Sequence, residues 1–266
     1  MKKIFILIIA TLYLFASPYN QEMLENISQT NSKKNSFSFA IMGDNRNGDR
    51  VLEKIISKIN QDRNISFIIN NGDLVTFGYK KEFNNYLHII KNSNKPILSI
   101  IGNHELPWYE FLHPTKNYKK IFGKTDFSFS YANSYFIILD SSVKSLTKKQ
   151  CKWLKEELEK SQQYKNRFVI THVPLYDPRK GEYKKGHSFN SISKAKKLND
   201  LFDKYRVTML FTSHIHFYYR GVWQKTPFII TGGAGAPLKD YSNSGFYHYI
   251  KVIVNDNNIE YKVIKI

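Results

Sequence analysis

The sequence predicts an α/β fold in one domain spanning residues 36–266, and three observations carry that reading. Short apolar runs alternate with segments of helical spacing, so strands and helices interleave along the chain. The first five segments read β-α-β-α-β, an order that implies parallel strands joined by right-handed crossovers. Strand after strand then stops at a small residue followed by Asp, Asn or His. That puts ligand-type side chains on one carboxyl edge, where open α/β sheets bind.

Residues 1–17 precede the domain. Lys2 and Lys3, an apolar run from Ile4 to Phe15 broken by Thr11, and the small pair Ala16-Ser17 have the form of a secretory signal peptide. The run is shorter than the roughly 20 residues of a spanning helix. Left uncleaved, it would be an N-terminal anchor and give the chain a membrane attachment. Both readings place the rest outside the cytoplasm: secreted, periplasmic or at the cell envelope. Residues 18–35, rich in Asn, Gln and Ser, read as a linker.

Phe37 to Met42 is the first strand and ends at Gly43-Asp44. Val51, Leu52, Ile55, Ile56 and Ile59 mark a helix over 49–62. Phe67 to Asn70 is a strand ending at Gly72-Asp73, 79–93 a helix, and 96–101 a buried strand ending at Gly102-Asn103-His104-Glu105. Residues 105–124 read as irregular and aromatic. A hairpin follows, Phe127 to Tyr131 with Tyr135 to Leu139, then a helix from Leu146 to Tyr164 capped by Ser145 or Thr147. Phe168 to Thr171 is a strand ending at His172, and 177–189 a long polar loop. Residues 190–205 are helical, and Val207 to Thr212 is a strand ending at Ser213-His214-Ile215-His216. Strands at Phe228 to Thr231, Phe246 to Val254 and Ile259 to Ile264 close the chain. The Gly-rich link 232–237 is either flexible or tightly packed.

At 266 residues and 42% hydrophobic, the chain can bury a large core. The lone Cys151 excludes an intrachain disulfide. The net charge of +18 raises the question of nucleic-acid binding. The lysines come in scattered pairs, such as Lys80-Lys81 and Lys196-Lys197, rather than in one block. No specific nucleic-acid partner is therefore expected, and the excess charge would attract anionic substrates.

The five polar strand ends offer Asp44, Asp73, Asn103, His172, His214 and His216. Two divalent ions side by side need one ligand that bridges them, and a carboxylate at Asp73 is the best placed. Imidazole and carboxylate donors together suit Mn, Fe or Zn better than Ca or Mg. His214 and His216, two apart on an extended stretch, point to the same side and can serve adjacent metals.

This ordered set resembles the calcineurin-like metallophosphoesterases, a superfamily that includes the purple acid phosphatases. The resemblance runs from residue 37 to about 254. It implies a four-layer α/β/β/α sandwich, with two mixed sheets face to face and helices outside. It also implies hydrolysis of a phosphomonoester or phosphodiester, small or larger, by a hydroxide bridging two metals. Asp44, Asp73 and His216 would hold one metal, and Asp73, Asn103, His172 and His214 the other. His104 would protonate the leaving oxygen, with Asn103 also touching substrate. Glu105 reads as a supporting residue.

One position departs from the pattern. The family's first motif usually carries a metal-binding His two residues after the Asp, where this chain has Arg46. A guanidinium stays protonated and cannot ligate. Either Asn45 or Asn47 substitutes, or the first site is poorer in ligands. Arg46 suits a phosphate oxygen instead. If Arg46 blocks the first metal, the alternative is a metal-binding pseudoenzyme acting as a recognition module. The Tyr that purple acid phosphatases place three residues after the bridging Asp is Thr76 here, which sets this chain apart from them. Trp108, Tyr109 and Phe111 read first as packing and second as a base-stacking platform.

Overall fold

The computed structural model describes residues 17–30 and 36–266. The signal-like segment therefore lies outside the described residues, apart from Ser17. In chain order the elements are α1 (Tyr19–Gln29), β1 (Ser36–Met42), α2 (Asp49–Gln61), β2 (Ile65–Asn70), α3 (Lys80–Ile90), β3 (Ile97–Ser99), α4 (Lys116–Phe122), β4 (Phe127–Tyr131), β5 (Ser134–Leu139), α5 (Lys148–Lys160), β6 (Asn166–Thr171), α6 (Ile192–Lys204), β7 (Met209–Thr212), β8 (Tyr218–Trp223), β9 (Thr226–Thr231), β10 (His248–Asn255) and β11 (Asn258–Lys265).

The strands form two mixed sheets, one of five strands in the order β11-β10-β1-β2-β3 and one of six in the order β4-β5-β6-β7-β9-β8. Strands β1, β2 and β3 run parallel, with β10 antiparallel to β1. Strands β5, β6, β7 and β9 also run parallel, with β4 and β8 as antiparallel edges.

Alternation along each strand builds four layers. On β1, Phe39 and Ile41 face a core shared by both sheets, with Phe67, Phe136, Phe168 and Phe211. Ala40 and Met42 face the other way, toward Leu52, Ile55, Ile59, Phe83 and Phe122 of α2, α3 and α4. On the second sheet, Ile137, Val169 and Leu210 meet Leu154, Leu158, Leu198 and Phe202 of α5 and α6. This is the α/β/β/α sandwich.

Three local readings change and two open ones are resolved. The stretch read as a linker contains α1, because Met23, Leu24 and Ile27 pack into the inter-sheet core. Asn20 also binds Ser99 from both sides: its Nδ2 donates to Ser99 O at 2.8 Å, and Ser99 N donates to its Oδ1 at 2.9 Å. The polar residues that suggested a linker are thus partly a clamp on β3. The segment read as irregular contains α4, anchored by buried Tyr118 and Phe122. Strand β8 was not expected, since its polar edge position hides the alternation. The 232–237 link is tightly packed: Ala234 N donates to Gly43 O and Ala236 N to Asp44 O. Of the two proposed caps for α5, Thr147 is the one used, accepting from Gln150 N.

Candidate metal centre

The parallel strands of both sheets deliver their polar ends to one place. The turn after each strand is sharp, and Asp44, Asp73 and His214 take left-handed backbone conformations at φ 61°, 54° and 67°. Such conformations cost non-glycine residues about 1–3 kcal/mol each and persist only where the surroundings hold them. Here the turns hold one another. Asp44 N donates to Gly72 O at 3.0 Å, and His214 N donates to Asp44 Oδ2 at 2.7 Å. His104 N donates to Asp73 Oδ1 at 3.0 Å. Gly102 has to be a glycine, because a Cβ there would lie 2.3 Å from Asp73 N.

Two groups of potential ligand atoms result, each within 4.8 Å: Asp73, His172 and His214 in one, and Asp44, Asp73 and His216 in the other. Asp73 belongs to both. Asn103 Oδ1, Asp44 Oδ1 and His214 Nε2 are buried without a hydrogen-bond partner. Buried polar atoms are rarely left so, and three orphaned donor atoms of ligand type fit a site built for cations. The outer ring nitrogens are committed elsewhere. His172 Nδ1 donates to Asn71 O and His216 Nδ1 to Pro237 O, both at 2.8 Å. That turns each Nε2 toward the carboxylates: His172 Nε2 lies 3.2 Å from Asp73 Oδ1 and His216 Nε2 3.6 Å from Asp44 Oδ1.

The electrostatics belong to the same design. Burial pushes the Asp44 carboxyl well up, with the Asp73 charge adding to it. Burial also works against ionised Asp73, yet His172 and His104 hold it far below the usual carboxylate range. Burial pulls the His172 imidazole down, but Asp73 and Asp44 overcome this and push it up to about 9. Burial lowers His214 and His216, so both stay neutral and able to ligate.

His104 sits at the rim, 29% exposed. Its Nδ1 donates to Thr76 O at 2.7 Å, and its Nε2 lies 3.8 Å from Asp73 Oδ2, at the edge of the ligand set. Arg46 is also left-handed, at φ 42°, and its N donates to Asp73 O. Its Nε is buried and unpartnered. Each proposed substitute ligand already accepts one hydrogen bond. Asn45 Oδ1 accepts from Asn70 Nδ2, and Asn47 Oδ1 accepts from Thr76 Oγ1. The first group, by geometry, is Asp44, Asp73 and His216.

Glu105 is wholly buried and accepts from four backbone N–H groups, those of Asp73, Leu74, Val75 and Gly102. Burial and the Asp73 charge push its carboxyl up to about 8. It is the splint that shapes the Asp73 turn. Sequence reading did not find His187, whose ring stacks on His214 at 3.9 Å and 4°. The loop that carries it is pinned by buried Asp177, which accepts from His187 N and Arg179. No spacing in the sequence signals that contact.

Comparison with known proteins agrees with this geometry. The calcineurin-like phosphoesterase family model matches residues 37–218. A human serine/threonine-protein phosphatase, CPPED1, is 26% identical over 152 residues, covering 54% of this chain and 48% of its own. Purple acid phosphatase 13 of Arabidopsis thaliana is 29% identical over 169 residues, covering 55% of this chain and 30% of its own. The chain thus spans half or less of the length of these curated relatives. A purple acid phosphatase from yellow lupin, PPD1, superimposes with a TM-score of 0.71 at 18% identity, over 86% of this chain and 52% of its own, which speaks to the fold.

Proposed function

Because this chain belongs to the calcineurin-like phosphoesterase family, we propose that it is a metal-dependent hydrolase of phosphate esters, using two divalent ions and acting outside the cytoplasm. The observation that carries this reading is Asp73, shared by two adjoining groups of buried ligand atoms. Asp44, Asp73 and His216 would hold one ion, and Asp73, Asn103, His172 and His214 the other. The mixed imidazole and carboxylate donors suit Mn, Fe or Zn. When bound, the ions acidify water and neutralise charge on the phosphoryl group.

The chain's own residues do the rest. His104 has its Nδ1 tied to Thr76 O, so Nε2 is the atom that gives a proton to the leaving oxygen. Arg46 holds an anionic phosphoryl oxygen in the place of a ligand, and its unpartnered Nε supports that role. A monoester, with one more anionic oxygen than a diester, gains more from it. Location outside the cytoplasm rests on the charged, apolar and small-residue pattern of residues 1–17.

The test is turnover of a chromogenic phosphomonoester and a phosphodiester with Mn, Fe, Zn, Mg or chelator, beside Asp73→Asn and His104→Ala. Metal-dependent hydrolysis abolished in Asp73→Asn and slowed in His104→Ala is the expected result. Arg46 favours one rival, a recognition module lacking the first metal. Fewer than two ions per chain with no turnover would establish it.

A further inference from the structure

We propose that Phe77, Tyr79, Trp108 and Tyr109 form a leaving-group subsite, for phosphate esters whose alcohol carries a planar aromatic ring such as a nucleobase. The proposal rests on the hydrolase reading above. The four side chains are 52%, 38%, 71% and 46% exposed, so they are not packing residues. They make one continuous surface. Tyr79 and Tyr109 stack at 5.7 Å and 16°, Phe77 lies 5.7 Å from Tyr79, and Trp108 meets Tyr109 edge-on at 6.1 Å. Trp108 Nε1 donates to Tyr79 OH at 3.4 Å.

The surface is held out in water by a framework. Glu82 accepts from Thr76 N, Phe77 N and Tyr79 N, which fixes the first turn. Asn117 Nδ2 donates to Gly78 O. A Cβ at Gly78 would lie 2.8 Å from Glu105 O, so the two loops touch there. Rigid apolar surface left exposed is suited to binding, since little ordering remains to be done.

Location identifies what it reads. Thr76, whose carbonyl accepts from His104 Nδ1, directly precedes Phe77, and Trp108 follows His104 by four residues. The platform therefore flanks the proton donor, on the leaving-group side. In hydrolysis the P–O bond to the alcohol breaks, water supplies the replacing oxygen, and the departing oxygen takes its proton from His104. Four exposed rings in mutual contact favour stacking on a flat ring.

The test compares wild type with Phe77→Ala and Trp108→Ala on adenosine 5′-monophosphate and glycerol 2-phosphate. We expect kcat/KM to fall about ten-fold more on the nucleotide than on the glycerol ester. Independently of turnover, adenosine should quench tryptophan fluorescence of wild type but not of Trp108→Ala, and ribose should quench neither. Equal losses on both esters, no loss on either, or no quenching by adenosine would overturn the subsite. So would loss of binding to anionic lipid vesicles in Trp108→Ala without adenosine quenching, which would make the platform a membrane contact. If wild type hydrolyses neither of these monoesters nor a phosphodiester with any of the metals, the hydrolase reading fails, and the fluorescence result alone decides the platform.

Discussion

Replacing Glu105 by alanine should damage the metal centre without touching a ligand. Four backbone N–H groups converge on its carboxylate inside the protein, from Asp73, Leu74, Val75 and Gly102. A buried donor stripped of its acceptor costs about 1–3 kcal/mol. If water enters and satisfies half of the four, the loss is still about 2–6 kcal/mol. Because Asp73 N is one of the four, the left-handed Asp73 turn loses its support as well. Metal affinity should therefore fall with stability. Glu105→Gln keeps one acceptor oxygen but turns an amino group toward the remaining donors, so it should fall between wild type and alanine. Urea unfolding with chelator measures the first effect, and metal titration of the folded protein measures the second. A stability loss below about 1 kcal/mol with unchanged metal affinity would refute the splint.

Three other outcomes are expected. His104→Ala should retain its metal content yet lose roughly 100- to 10,000-fold in kcat, with a smaller loss on 4-nitrophenyl esters, whose leaving oxygen needs little protonation; equal losses on all esters would deny the acid role. Asp73 and Asp44 push metal-free His172 up to about 9, from a usual value of 6.5, so at pH 7.5 the folded apoprotein carries a proton there. Metal binding at that pH should release it, measurable as buffer-dependent heat in titration calorimetry, and the release should vanish above pH 10. Burial lowers His248 to about 4, so its neutral form is favoured by folding. The unfolded chain takes a proton below about 6.5, so the stability His248 contributes is complete above that pH and lost as pH falls toward 4. The 2.5-unit difference is worth about 3 kcal/mol, and His248→Gln should flatten unfolding free energy across that window.

The fold class was legible because parallel strands buried on both faces are near-continuous apolar runs, as Phe39 to Met42 and Phe67 to Ile69 are. What composition concealed were elements whose polar residues have structural work. Asn20 reads as linker chemistry but pairs with both backbone groups of Ser99. Tyr218 to Trp223 reads as loop because an edge strand tolerates Arg220 and Gly221. Helix α4 is a single short run whose buried Tyr118 and Phe122 give too little periodicity to stand out.

The site divides in the same way. Groups of ligand type sit at particular strand ends, so the candidates Asp44, Asp73, Asn103, His172, His214 and His216 can be picked out of the sequence, and the structure gathers five of them into two adjoining groups. The groups that orient those atoms are chosen by three-dimensional contact. Asn71 orients His172 with a carbonyl, which any residue type supplies. His187 stacks on His214 from a loop 27 residues away in sequence. The conformational strain is equally silent: Asp44, Arg46, Asp73 and His214 all carry positive φ where glycine would sit more easily. Strain concentrated in four residues of one site, each with a donor group, has a consequence. Asp73→Gly should relieve the backbone while removing the shared carboxylate, whereas Asp73→Asn keeps the strain and most of the shape. If the strain serves the metals, the glycine variant should be the more stable of the two without metal, and neither should hold two ions. An Asp73→Gly protein less stable than Asp73→Asn would mean that the carboxylate's own contacts, above all with His104 N and His172, outweigh the turn.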